Sequence, residues 1–144
     1  MTNRTDIEWL SLDSASSTPL HRQIDEGIKT AIATNRLRTR DRLPTVRELA
    51  GLLGVHPNTV ARAYTGLVRD GVLTAQPGRG TFVPSEIGDL GAERQVRLDS
   101  IITRSLVRAL SLGFSLEQVE ASFDAEVASF KAELEDSADG SEKS

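Results

Sequence analysis

Apolar residues recur every four positions from Leu20 through Ile24 and Ile28 to Ile32, which lays one stripe along a helix running to about residue 35. Thr18-Pro19 opens that helix, with a hydroxyl N-cap and then proline at the first helical position. Ahead of it, residues 7–12 alternate and predict a short edge strand, and residues 13–18 are a polar connector. Leu37 and Leu43 carry the core through the following loop. After Pro44, the run Thr45-Val46-Arg47-Glu48 has the form of a capping box, and a helix over residues 46–53 turns Val46, Leu49, Ala50 and Leu53 inward. Gly54 supplies a turn. Pro57 opens a third helix whose apolar face is Val60, Tyr64, Leu67 and Val68 and which stops at Gly71. Two β-prone runs, residues 72–75 and 81–84, flank a hairpin loop, Gln76-Pro77-Gly78-Arg79-Gly80.

The pattern then changes. Residues 85–91 read as a linker. Val96, Ile101, Leu106, Val107 and Leu110 mark an amphipathic helix over about residues 92–112, which ends at Gly113. Ser115-Leu116-Glu117-Gln118 is a second capping box, opening a helix to about residue 134 that carries Val119, Phe123, Val127, Phe130 and Leu134. Residues 135–144 are acidic, small and polar and are expected to be disordered. The chain is therefore mainly α with a small β-hairpin wing: a winged helix-turn-helix over residues 7–84, a linker over 85–91, a helical region over 92–134 and an acidic tail.

Composition narrows the function classes. The 144 residues contain no cysteine, so disulfides and thiolate metal sites are excluded. No apolar run approaches the ~18 residues of a membrane span, and the N-terminus has no signal-peptide core. A soluble cytoplasmic protein with no membrane partner is expected. The net charge of −4 argues against a nucleic-acid binder until it is divided along the chain. Residues 18–84 hold ten Lys and Arg against five Asp and Glu, whereas residues 85–144 hold six against thirteen. A basic middle beside an acidic end implies two surfaces with different partners.

The second and third helices, joined at Gly54-Val55, have the order of a helix-turn-helix. The major groove of B-DNA admits one α-helix, and a second must brace it. The exposed N-terminal residues of the inserted helix then meet base edges. Here those are His56, Asn58, Thr59 and, one turn on, Arg62. Asn58 can pair with adenine, and Arg62 with guanine or phosphate. The alternative is a three-helix bundle with a solvated polar face. The wing weighs against it: Gly78 and Gly80 permit close backbone approach, and Arg79 between them can enter a minor groove.

With Leu43-Pro44-Thr45-Val46-Arg47-Glu48-Leu49-Ala50, Leu53-Gly54-Val55, Asn58-Thr59-Val60, Tyr64, Leu67, Asp70-Gly71 and Gly78-Arg79-Gly80-Thr81-Phe82-Val83 in register, the chain resembles the DNA-binding domain of GntR-family bacterial regulators. The lead-in Thr18-Pro19-Leu20-His21-Arg22-Gln23-Ile24 agrees, and the resemblance covers about residues 7–84. It implies that Arg47 contacts phosphate or a base, that Asn58 and Thr59 lie in the recognition stretch, and that Gly78 and Arg79 lie in the contacting wing. The short two-helix C-terminal region is similar to the YtrA-type subfamily, which implies homodimerisation there; Leu106, Leu110, Val119, Phe123 and Val127 are the residues expected to carry it. Two departures stand out. Many members have arginine where this chain has Pro57, and some have another where it has Ala61, so no operator sequence carries over.

Other chemistry is weakly supported. His21 and His56, the only histidines, have no metal-ligand spacing. Glu117, Glu120, Asp124 and Glu126 read as a solvated helix face rather than an acid/base pair, and Gly78-Arg79-Gly80 is no P-loop. Trp9 and Phe82 read as packing residues. No enzyme activity and no cofactor are expected. The expected function is a homodimeric repressor that occludes a double-stranded DNA operator. Its rivals are a winged-helix protein-interaction module, separable by salt-dependent duplex binding, and a sensor gated by an unknown small-molecule effector at the dimer interface.

Overall fold

The computed structural model describes residues 7–85 and 91–141. The chain divides into two compact units, one ending at Glu86 and one beginning at Ile87.

The first unit has three helices, α1 (Leu20–Ala33), α2 (Val46–Leu53) and α3 (Pro57–Arg69), followed by an antiparallel hairpin of β1 (Thr74–Gln76) and β2 (Gly80–Phe82). This is the expected winged helix-turn-helix. Both α1 and α2 pack on α3. The buried residues keep helical spacing: Ile24, Ile28 and Ala31 on α1, Leu49 and Ala50 on α2, and Val60, Ala63, Tyr64 and Leu67 on α3. Leu10, Leu37, Leu43, Leu73 and Val83 close the same core.

Local chemistry sets the helix ends. Thr45 caps α2 by accepting from the Glu48 N–H at 3.1 Å, and Gly54 ends α2 at φ +68°. Asn35, at φ +59°, ends α1: Arg36 N–H donates to Ala31 O at 2.8 Å and Asn35 N–H to Ile32 O at 3.2 Å, the two bonds of a Schellman motif.

Two expectations about the N-terminal part are corrected. Thr18 does not cap α1. Pro19 occupies the N-cap position without a side-chain cap bond, and Thr18 N–H donates instead to Ser16 Oγ at 3.1 Å. Gln23 ties the connector down, with its Nε2 donating to Asp13 O and Thr18 O, both at 2.9 Å. Residues 7–12 form a turn rather than an edge strand, closed by Leu10 N–H donating to Ile7 O at 2.9 Å. A strand needs a neighbour for its ladder. Here Leu10 is instead buried beside Gly27 of α1, where a Cβ would fall into its side chain.

The hairpin register is Thr74↔Phe82, Ala75↔Thr81 and Gln76↔Gly80. On the other edge of β2, residues 40–43 run antiparallel: Arg40 N–H donates to Val83 O at 2.9 Å, Val83 N–H to Asp41 O at 2.9 Å and Leu43 N–H to Thr81 O at 2.8 Å. Alternation then gives the sheet two faces. Leu43, Leu73 and Val83 point into the core. Thr74, Gln76, Gly80 and Phe82 belong to the outer face.

The second unit is a helical pair, α4 (Gly91–Ser111) and α5 (Leu116–Ser141). Between them Ser115 and Gln118 form a complete capping box: Gln118 N–H donates to Ser115 Oγ at 3.1 Å and Ser115 N–H to Gln118 Oε1 at 2.9 Å. The expected disordered tail is corrected for residues 135–141, which continue α5. No proline interrupts the segment, and the run Ala132-Glu133-Leu134-Glu135 has strong helix propensity, so an established helix propagates through it. Most of the expected linker, residues 86–90, lies outside the described residues, as do residues 142–144. Among the described residues no helix is long and apolar enough to cross a membrane.

Candidate nucleic-acid interface

The candidate interface begins at the turn between α2 and α3. Gly54 reverses the chain, and Val55 N–H donates back to Ala50 O at 3.1 Å. His56 follows as the N-cap of α3, its Nδ1 accepting from the Asn58 N–H at 3.0 Å. An Nδ1 that accepts leaves the ring proton on Nε2, a donor available to an anion. Pro57 takes the first helical position, where its missing N–H costs nothing.

Burial of Val60, Ala63, Tyr64 and Leu67 turns the opposite face of α3 to solvent. Asn58 and Arg62 are exposed on it, whereas Thr59 is half-buried. Thr65 and Arg69 continue that exposed face at helical spacing; Arg69 Nε lies 3.4 Å from Asp70 Oδ1. Sequence reasoning stopped at Arg62, although the same spacing reaches both.

Arg47 is exposed on the first turn of α2. The ion pairs among the described residues are Lys29–Asp25 and Arg69–Asp70, so Arg47 is not neutralised by Glu48. The helices that carry Arg47 and Asn58 are joined by a side chain: Tyr64 on α3 donates from its hydroxyl to Pro44 O, just before α2, at 2.7 Å. Burial, and secondarily the charge of Glu48, push the Tyr64 hydroxyl pKa well above its ordinary value, so it remains a donor. Tyr64→Phe leaves that carbonyl without its partner. It is expected to cost about 1–2 kcal/mol in urea unfolding; an unchanged midpoint would show that water replaces the bond.

At the wing, Gln76-Pro77-Gly78-Arg79 is a tight turn closed by Arg79 N–H donating to Gln76 O at 2.9 Å, with Gly78 at φ +76°. Proline then glycine at the central positions suits a type II turn. Gly78 and Arg79 are exposed at the tip. Arg79 is not the wing's only cation. A Cβ at Gly80 would meet Arg42 Nε at 3.0 Å, so the Arg42 guanidinium lies across that glycine. Arg40 shares an open concavity with Arg79. Neither Arg40 nor Arg42 was singled out in the sequence. The available signal was the alternation Arg38-Thr39-Arg40-Asp41-Arg42, which places cations two residues apart as on one face of a strand.

Of the residues expected to dimerise, Leu106 and Val119 are half-buried and Leu110, Phe123 and Val127 are exposed, at 40%, 54% and 38%. They lie in the second unit. Among the described residues no cluster of three or more His, Cys, Asp or Glu could hold a metal ion.

Residues 20–83 match the family of bacterial regulatory proteins, gntR family. The HTH-type transcriptional repressor YtrA of Bacillus subtilis is 39% identical over 74 residues, which is 51% of this chain and 57% of YtrA. The match therefore spans little more than half of that relative. The uncharacterized HTH-type transcriptional regulator YhcF of the same organism is 31% identical over 105 residues, 72% of this chain and 86% of YhcF. Among solved structures, YtrA from Sulfolobus acidocaldarius, a GntR-family transcription factor, is 32% identical with a TM-score of 0.59, covering 83% of this chain and 97% of that one.

Proposed function

Because this chain belongs to the GntR family of bacterial regulatory proteins, we propose that it is a sequence-specific DNA-binding transcriptional regulator that acts as a homodimer and represses by occupying its operator. The observation that carries the reading is the solvent-facing row Asn58 and Arg62 on a capped helix, followed directly by a glycine-tipped wing. A helix so presented enters a major groove, and its N-terminal side chains reach base edges. Arg47 anchors the bracing helix, and His56 adds a donor beside the N-terminus of α3, itself a favourable place for phosphate. The repressor sign follows Bacillus subtilis YtrA, a transcriptional repressor.

The helical pair supplies the dimer. Ile101 is 60% exposed, as Phe123 and Leu110 are in large part, so one pair of helices does not bury its own apolar residues. A twofold-related copy presents the same faces and covers them. Selection of bound duplexes from a random pool tests the whole reading: it should return a palindromic or pseudo-palindromic site, bound more weakly as salt rises. Enrichment of no duplex would leave the winged-helix protein-interaction module in its place.

The wing is expected to contribute affinity through Arg79. Losing a phosphate contact lowers the slope of log K against log salt by about one per subunit, and Arg79→Ala should show that loss. An arginine in a narrow minor groove would add a preference for A·T-rich flanks. The check is a salt titration of Arg79→Ala on sites with A·T-rich and G·C-rich flanks. A variant matching the wild type in both reduces the tip to a turn.

A further inference from the structure

Arg40 sits at φ +72°, in the left-handed region that L side chains rarely adopt. Its backbone is held there by the bonds that join residues 40–43 to β2, and by a turn in which Arg38 N–H donates to Asp41 Oδ2 at 2.8 Å. Glycine would take this conformation without steric cost. An arginine kept in a strained position is a reason to ask what its side chain does.

That side chain is exposed and lines, with Arg79, Thr74, Gln76 and Phe82, an open concavity of about 430 Å³ on the outer face of the wing. Among the described residues no acidic side chain lines it. Among the described residues neither arginine is in an ion pair. Two guanidinium groups with a hydroxyl and an amide beside them form a seat for an oxyanion. Arg42, lying across Gly80, adds a third positive charge to the same sheet.

The geometry points to a second phosphate seat of the DNA interface, on the wing's outer face, with Arg40 and Arg79 holding a backbone phosphate of the flanking duplex. This rests on the DNA-binding reading above. The occupant follows from shape: the concavity is open and polar, which suits a strand laid across it. A drug-sized effector would favour an enclosed, mostly apolar site. Arg40 lies off the tip, so it extends the footprint beyond what Arg79 reaches alone.

The test compares the wild-type chain with Arg40→Gly and Arg40→Lys on a labelled duplex that the wild type enriches from a random pool, titrated over about 50–200 mM salt. Arg40→Gly is expected to bind on the order of tenfold more weakly, with a salt slope shallower by about one per subunit. Its thermal midpoint should equal or exceed that of the wild type, because the left-handed strain is relieved. Arg40→Lys should keep the slope and recover part of the affinity. Unchanged affinity and slope in Arg40→Gly, against a wild type that binds, overturn the seat alone. A wild type that enriches no duplex overturns the DNA-binding reading and the seat with it. A parallel arm adds pyrophosphate: if it raises the thermal midpoint of the wild type but not of Arg40→Gly, and duplex affinity is the same in both, the seat holds a free anion and the duplex is overturned as its source.

Discussion

A chain ending at Ile87 is expected to stay folded, to sediment as a monomer and to bind its operator about 10²–10⁴-fold more weakly than the full chain. The buried apolar core of the described residues runs from Leu10 to Val83 and includes no residue of α4 or α5. Removing the helical pair therefore takes nothing from the core of the first unit. In the proposed dimer, what it removes is the link between two recognition helices. With the dimer intact, binding of one half-site makes the second event intramolecular, at an effective concentration near millimolar for a short link. Without it each domain must bind independently. Sedimentation velocity reads the mass, and anisotropy on a full operator and on a half-site reads the affinity. Phe123→Asp in the full chain is the companion variant. It places a charge on a face that a second copy would bury, at a site already 54% exposed in the single chain, so the fold should survive while the dimer does not. A truncated chain that still sediments as a dimer would place the interface in the winged domain.

How much of this was legible in the sequence depends on whether the signal was local. The second and third helices were readable because Thr45, Gly54, Pro57 and Gly71 act on their immediate neighbours, and each does so in the structure. The wing turn was readable for the same reason. The pairing of residues 40–43 with β2 was not: its partners are some forty residues apart, and Arg-Thr-Arg-Asp-Arg carries no apolar alternation to mark a strand. Residues 7–12 failed in the opposite direction, showing alternation without a partner strand. In the tail, acidic composition suggested disorder, while helix propagation past Leu134 needs only residues that tolerate the helix. The apolar faces of α4 and α5 were plain in the periodicity. What covers them was not, since periodicity reports that a face is apolar and not which molecule meets it.

Arg47→Ala is expected to weaken operator binding by about 1–3 kcal/mol per subunit if Arg47 meets a base, and so by roughly twice that in the dimer. The position argues for the role. Arg47 is the second residue of α2, where the N-terminal end of the helix dipole carries partial positive charge and a cation is unfavourable by a few tenths of a kcal/mol to about 1 kcal/mol. Its neighbour Glu48 obeys the dipole preference; Arg47 opposes it. No ion pair among the described residues offsets that cost, and the side chain lies outside the buried set Leu49 and Ala50. An exposed cation placed against its own helix dipole is expected to have its use in a partner, and a polyanion is the partner that would turn the same field to advantage. Two measurements should therefore move in opposite directions. Thermal unfolding of Arg47→Ala should occur at or slightly above the wild-type midpoint, since the unfavourable dipole interaction is gone and alanine favours the helix. Anisotropy on the selected operator should show the loss of affinity. If single-base variants of the operator at one position lose their penalty only in Arg47→Ala, the contact is to that base; a uniform loss with a shallower salt slope assigns it to phosphate. A variant that loses stability and affinity together would make Arg47 a structural residue, and unchanged affinity at moderate salt would remove it from the interface.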